Sequence, residues 1–412
     1  MSWIASLIGA VAAMPAIAAA SSAGLPVRVG GDDDAAIAWS QRFASEGDDW
    51  VNDLVMLRKG NVVAVGFLNR IDGSPPSDWH ALAAEIGPDG TLVKQNSFGS
   101  GAGIDAFWSV AEAGDGSRMF AGFTTRMGGG GIDGLALHAD ANGGLLLERA
   151  FGQGGYAPFT DLPATADGYV FLGHSQAEGS DKRRIYIVKT DLSGQALWER
   201  VHDALESWGA LYIEPAGDGG FIVAGGTARD GDGDMFAMKV DAEGRELWRQ
   251  RAGTPDWDEV NHGLVLRPDG RIVLAGYTHK RGEETNDLVA ATLSPTGEVE
   301  RIERFGGPGD DRAILAKADG QSRVWIVGHS GSAGAGGQDL LLARLDSQGS
   351  FEPSAITIGG PADDHGTALL PLADGSILLA GYSRGLGEGG EHAFVLRLTR
   401  PAFDRPNAAF KR

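Results

Sequence analysis

A glycine that closes a short apolar run recurs seven times along the chain, at Gly66, Gly122, Gly173, Gly225, Gly276, Gly328 and Gly381, spaced by 56, 51, 52, 51, 52 and 53 residues. A period of about fifty residues with room for four short strands per unit is the signature of a β-propeller, whose blades bury their apolar faces only against neighbours. The unit from Glu259 to Phe305 shows the scheme. Its expected strands are Glu259 to Leu266, Arg271 to Thr278, Leu288 to Leu293 and Val299 to Phe305. Pro268-Asp269-Gly270 and Pro295-Thr296-Gly297 are the turns between them, and a polar loop runs from Lys280 to Asn286. Short runs of Val, Ile, Leu and Phe bounded by Asp-Gly or Gly are hairpin signals.

The first turn recurs as Asp115-Gly116, Asp167-Gly168, Asp218-Gly219, Asp269-Gly270, Asp319-Gly320 and Asp374-Gly375, with Lys59-Gly60 as the exception. Such turns explain why 64 of 412 residues are glycine, about twice the usual ~7%. The glycine inside strand two, as in Val223-Ala224-Gly225 and Leu379-Ala380-Gly381, implies close approach of a neighbouring backbone.

The last unit supplies three strands, at His365 to Pro371, Ser376 to Tyr382 and Ala393 to Leu398, and then stops. Ile37 to Phe43 looks like the fourth strands Ala196 to Val201 and Glu246 to Arg251. The expectation is therefore an all-β protein: a seven-bladed β-propeller of four-stranded antiparallel blades, closed by the N-terminal strand pairing into the last blade. Its parts are a signal peptide at 1–24, a linker at 25–36, the propeller at 37–400 and a C-terminal tail at 401–412.

The leader is apolar and ends in small residues, Ala16-Ile17-Ala18-Ala19-Ala20 before Ser21-Ser22, as a cleaved secretory signal does. The n-region lacks the Lys or Arg of such a signal, and an uncleaved N-terminal anchor is the other reading, since about twenty apolar residues would just span a bilayer; no later segment could cross a membrane. The expected location is secreted or periplasmic. Cysteine is absent, which excludes disulfides and thiol catalysis. A formal charge of −20 argues against nucleic acid, whose phosphates such a surface repels, and favours cations or basic partners.

The motifs Phe305-Gly306-Gly307-Pro308-Gly309-Asp310-Asp311, Asp218-Gly219-Gly220-Phe221-Ile222-Val223-Ala224-Gly225-Gly226-Thr227 and Gly336-Gly337-Gln338-Asp339 resemble those of secreted bacterial β-propellers of the delta-sixty repeat type. The resemblance covers about residues 37 to 400 and departs most in the third unit, Phe151 to Trp198. It implies a fold and not a reaction, because that family is defined by architecture.

Counting eleven residues back from the first-turn glycine, or nine in the sixth unit, lands on Asp49, Asp105, Ala157, Trp208, Glu259, Asp311 and Asp364. Asp48, Asp258, Asp310 and Asp363 precede four of them. Carboxylates at the start of inner strands would converge on the channel mouth, so Asp49, Asp105, Glu259, Asp311 and Asp364 are candidate ligands for a hard cation such as Ca²⁺. The plainer reading is that each accepts backbone N–H groups in its own turn.

A second series, Asp78, Asp133, Asp181, Asp234, Asp287 and Asp339, with His392 in seventh place, precedes strand three and is expected to hold the loop there. Asp230-Gly231-Asp232-Gly233-Asp234 lacks the glycine and glutamate of an EF-hand. His174 and His329 follow the strand-two glycine while His262 and His365 lie in strand one, so they would matter chemically only if they met across blades. Asp191 to Trp198 and Asp241 to Trp248 resemble quinoprotein repeats in two units only.

No catalytic motif of the G-x-S-x-G or H-E-x-x-H kind occurs. Two function classes follow: a binding or scaffold module for an extracellular ligand or protein partner, or a hydrolase or lyase acting on an extracellular polymer. An enzyme would set two titratable groups in unequal surroundings at one cleft, and a scaffold would show a near-symmetric acidic ring.

Overall fold

Turn and strand signals every ten or so residues give seven antiparallel sheets in the computed structural model, which describes residues 28–30, 36–43, 45, 47–70, 78–99, 103–127, 131–152, 155–177, 179–180, 183–203, 209–229, 232–386, 390–399 and 409–410. The expected signal segment, 1–24, lies outside these residues. Among them no helix is long and apolar enough to cross a membrane.

Six blades are contiguous in sequence. Blade 5, for instance, runs Trp257–Leu266, Ile272–Lys280, Asp287–Leu293 and Val299–Phe305, within two residues of the expected strands. Blade 7 takes Asp364–Pro371, Ile377–Ser383 and His392–Thr399 from the end of the chain, and Ala36–Phe43 pairs antiparallel with the last of these, Phe43 opposite Ala393. The ring is thus closed by its own N-terminal strand, as the sequence leads one to expect.

The inner strand of blade 3 is broken into Phe159–Asp161 and Ala164–Thr165, with Pro158 before the first piece and Pro163 between the two; proline has no N–H for a ladder. In blade 6 the expected glycine of the first turn, Gly320, is not in the left-handed region, and Ser322 takes that position with φ 62°. Ser322 lies eleven residues after Asp311, so the nine-residue exception disappears and all seven units share one spacing.

The core lies between blades, not within them. Arg118–Thr124 of blade 2 and Val324–Ser330 of blade 6 are buried along their whole length, because a second strand has a blade on each face. One cluster joins Val273, Ala275 and Leu288 of blade 5 to Ile326 and Leu341 of blade 6. Phe410, from the segment read as a tail, completes it by stacking on Phe305 at 5.3 Å.

Outer tryptophans latch one blade to the next. Trp39, Trp198 and Trp248 press on Gly90, Gly244 and Gly297 of the following blade, where a Cβ would fall 2.7–2.8 Å from the ring. The Asp-to-Trp pattern that resembles quinoprotein repeats is accounted for by this packing. Arg28–Gly30, inside the expected linker, adds a fifth strand to blade 6 beside Thr357, Ile358 and Gly359. The edge it covers, Ser354 to Ile358, carries no charge, whereas the outer strands of blades 2 to 5 carry pairs such as Glu148-Arg149 and Glu199-Arg200. Charged edges resist pairing with other chains and an uncharged one requires a cover.

Candidate functional site

Every inner strand carries a β-bulge at the same place. The ladder to the second strand skips Asn52, Trp108, Thr160, Leu211, His262, Ile314 and Thr367, one in each blade. The repeated glycine stands opposite the residue just before the bulge: Gly66 faces Val51, Gly276 faces Asn261 and Gly328 faces Ala313. A Cβ on Gly66, Gly122, Gly276, Gly328 or Gly381 would fall 1.8–1.9 Å from a carbonyl oxygen of that inner strand. The close approach expected from sequence is therefore within the blade. A bulge re-aims a side chain, and all seven skipped residues line one central cavity of about 540 Å³.

The cavity is a cup lined by all seven inner strands. Its upper wall comes from the residue after the repeated glycine, which is Phe123, His174, Tyr277, His329 and Tyr382 in five blades. The rings form a continuous arc: Trp79 stacks on Phe67 at 4.3 Å, Phe67 meets Trp50 at 5.6 Å and Trp50 stacks on Tyr382 at 4.6 Å. Tyr382 then stacks on His365 at 4.8 Å, and His365 lies 4.1 Å from His329. The Tyr382 hydroxyl and His365 Nδ1 are 3.0 Å apart. In the next blade His262 stacks on Tyr277 at 5.3 Å, and the Arg312 guanidinium lies over that ring at 5.0 Å.

Of the four histidines singled out in the sequence, His329 and His365 therefore meet across blades. Burial pushes His329 down to about 3 and His262 to about 4, so both are neutral imidazoles at neutral pH.

The floor is ionic and unequal. Asp53 of blade 1, Asp161 of blade 3 and Lys317 of blade 6 line it, and Glu214 of blade 4 lies within electrostatic range of Lys317 and Asp161. Asp53 accepts from Leu54 N at 2.8 Å, Ser109 Oγ at 2.9 Å and Val110 N at 3.2 Å. Asp161 accepts from Leu162 N and Ile213 N, both at 2.8 Å, and from Ser109 Oγ at 3.3 Å.

Burial raises the pKa of both aspartates while Lys317 and these donors oppose it. Glu214 accepts no hydrogen bond among the described residues, and burial raises it to about 7. Burial works against the charge of Lys317, but Asp53, Asp161 and Glu214 outweigh it and hold the ammonium charged. Tyr212 crosses the channel from blade 4 and donates to Ile314 O at 3.1 Å.

The expected acidic ring is built differently. Asp49, Asp105, Glu259, Asp311 and Asp364 are all buried at the junctions between blades. Asp49 accepts from Ser45 and Asn69 N, Asp105 pairs with Arg126, and Glu259 binds Thr254 and Arg304. Asp311 and Asp364 each accept from a glycine N–H at 2.7 Å, Gly307 and Gly360. Among the described residues no three His, Cys, Asp or Glu side chains are grouped to hold a metal ion.

The preceding acids are staples. Asp48, Asp258, Asp310 and Asp363 accept from Glu391 N, Gly233 N, Asn286 N and Gln338 N of the preceding blade at 3.0–3.1 Å. The acidic pair thus bonds across the blade junction and not only within its own turn. Trp208, Asp181 and Asp230 lie outside the described residues, as does the Asp78 side chain.

Second-series residues meet first-series residues at these junctions. His392 Nδ1 is 3.8 Å from Asp49, and Asp339 also holds its own loop through Ala335 N at 3.0 Å. Burial, with Asp364 nearby, raises Asp339 to about 6; burial and Asp311 raise Asp287 to about 6. A carboxyl whose pKa is raised in the folded state is protonated there between about pH 4 and 6, while in the unfolded chain it is ionised. Its contribution to stability therefore falls as pH rises through that window.

Asp339→Asn fixes the neutral form, so relative to the parent protein its melting point should climb as pH goes from 5 to 8. For a shift of about two units the relative gain over that range is on the order of 1–1.5 kcal/mol, the rest of the effect falling below pH 5. Comparing the two proteins cancels the buried histidines, which act in the opposite direction; a pH-independent gap would refute the assignment.

The floor residues and Trp50, Tyr212 and Tyr382 were not among the sequence candidates. A positional signal existed, because Asp53, Ser109, Asp161 and Tyr212 all stand four residues after the first-series positions Asp49, Asp105, Ala157 and Trp208. No family model matches the chain and no curated protein matches it. Solved structures do. Kuenenia stuttgartiensis hydrazine synthase superposes with TM-score 0.56 at 10% identity, over 86% of this chain and 96% of that one. Polysaccharide lyase Uly1 does so with TM-score 0.53 at 11% identity, over 85% and 90%. At such identities the likeness concerns the fold alone.

Proposed function

We propose that this protein is a binding module that takes a small organic ligand into the central cup, and that it works outside the cytoplasm as a secreted or periplasmic propeller of the delta-sixty repeat type. The apolar leader and the charge of −20 support that location. The observation that carries the binding reading is the run of rings from Trp50 through Tyr382 and His365 to His329, all of which line a cavity of about 540 Å³. Cavities of ~300–1,000 Å³ walled by aromatic faces, with a few convergent polar groups, are the form of small-molecule sites. Aromatic side chains give a ligand large, rigid apolar contact area.

The test is thermal unfolding and calorimetry with neutral oligosaccharides and with small aromatic compounds at millimolar concentration. A ligand that binds only the folded state raises the melting point. At least one class should do so by several degrees, and Trp50→Ala should remove the effect. A shift that survives Trp50→Ala and Tyr382→Ala, or no shift from any class, would defeat the reading.

Hydrolase or lyase action is a second reading. It is favoured by the unequal carboxyl groups of the floor, where Asp161 is held by three donors and Glu214 is raised to about 7. Release of reducing ends or unsaturated sugars from a polysaccharide, lost in Asp161→Asn, would support it.

A further inference from the structure

We infer that the ligand of the cup is an organic cation, an amine whose ammonium group is received by Asp53 and Asp161 while its apolar body lies against the aromatic wall. This rests on the binding reading above and names the ligand class.

Charge is the first ground. At the floor Asp53 and Asp161, with Glu214 in electrostatic range, face a single ammonium, Lys317; the other cation that lines the cavity, Arg183, sits over the Tyr156 ring at 4.8 Å. Lys317 makes no hydrogen bond and no ion pair within 4 Å among the described residues, so it offsets the acids from a distance and occupies none of their oxygens. The neighbouring imidazoles of His262 and His329 add no positive charge at neutral pH. With Glu214 partly protonated near pH 7 the floor acids still exceed Lys317 in charge, so an anion entering there would add to a net negative charge and a cation would offset it.

Geometry is the second ground. Ser109 Oγ reaches both Asp53 and Asp161, at 2.9 and 3.3 Å, which holds the two carboxylates side by side at one level of the channel. Backbone N–H groups fix each of them and favour the ionised form. Trp108, 36% exposed and stacked on no other ring among the described residues, lines the same cavity, and such a ring face attracts cations through its quadrupole. Arg312 over Tyr277, at 5.0 Å, shows one wall ring already used in this way by a side chain of the protein.

Three probes that share one ring and differ only in head group test this: phenethylamine, 2-phenylethanol and phenylacetate, titrated calorimetrically at pH 7.5 into the full chain. The amine should bind at least ten-fold tighter than the alcohol, and the carboxylate should not bind measurably. Asp161→Asn should remove the preference for the amine while keeping alcohol binding, and Trp50→Ala should weaken both.

Lys317→Gln keeps the proposal testable even if the aspartate variant is unstable, since removing the competing cation should raise amine affinity several-fold, which damage to the fold would not do. Equal binding of amine and alcohol, with Trp50→Ala weakening both, would overturn the cation assignment and leave the cup. Binding of none of the three, or preference for the carboxylate, would overturn the assignment, and the former would count against the cup as well.

Discussion

A variant that begins at residue 45 should not fold to a cooperative monomer, whereas one that begins at residue 28 should melt close to the full chain. The segment lost in the first is the fourth strand of blade 7, seven of whose residues, from Ala36 to Phe43, are paired with the strand ending at Thr399. It brings Phe43, which is 3% exposed, and the partly buried Ile37 and Trp39 into the main core cluster. At about 1.5–3 kcal/mol for each large apolar side chain, these anchors alone approach the ~5–15 kcal/mol by which a domain is stable.

The loss is also topological. Trp39 Nε1 donates to Pro88 O of blade 1 at 3.0 Å, so the strand joins the last blade to the first as well as completing the last. Without it, Phe394, Leu396 and Leu398 would stand on an open sheet edge, the arrangement that invites pairing between chains. Circular dichroism and size-exclusion chromatography distinguish the outcomes. The peptide 28–45, which carries both this strand and the Arg28–Gly30 cover of blade 6, added in excess should restore a monomeric, cooperatively melting protein; a folded monomer without it would disprove closure by this strand.

Architecture was legible because each blade repeats the same local chemistry, so a turn glycine or strand-two glycine counts seven times and chance agreement drops out. The fourth strand of blade 7 could be found for the same reason: Ile37-Ala38-Trp39 repeats the pattern of Ala196-Leu197-Trp198. What repeats, however, is what the ring needs, and the acids at the start of the inner strands illustrate it. Asp311 and Asp364 recur because each blade junction has glycine N–H donors to satisfy, at Gly307 and Gly360.

The candidate site is legible only in what fails to repeat. Asp53, Ser109, Asp161 and Tyr212 occupy equivalent places in four consecutive blades, while Gly263, Leu315 and Ala368 occupy them in the other three. Periodicity averages such differences away. Lys317 and Asp161 are 156 residues apart in sequence, and only closure of the ring places them at one floor. Departure from the repeat at channel-facing positions, once the bulge has fixed which positions those are, is the signal that a propeller sequence offers about its ligand.

The repeated glycine gives the sharpest separation between space and backbone conformation, and Gly328→Ala should be among the most damaging single substitutions in the chain. A Cβ there would lie 1.8 Å from Arg312 O, 2.8 Å from Arg312 C and 3.0 Å from Ala313 Cα, all of them backbone atoms that no rotamer change can move. The inner strand would have to leave its bulge, carrying Arg312 and the cup wall with it, and the expected cost is above about 4 kcal/mol, in the range of the severe mechanisms.

Two other glycines calibrate the claim. Gly60 has nothing within 4 Å of a built Cβ but has φ +91°, so Gly60→Ala should cost only the left-handed penalty of about 1–2 kcal/mol. Gly320 has open space and no positive φ, so Gly320→Ala should be neutral or stabilising by up to about 1 kcal/mol through the unfolded chain. Urea unfolding midpoints of the three variants should fall in that order. If Gly328→Ala cost no more than Gly60→Ala, the contact between second and inner strands would not be what selects glycine in every blade, and the bulge that aims seven side chains into the cup would need another cause.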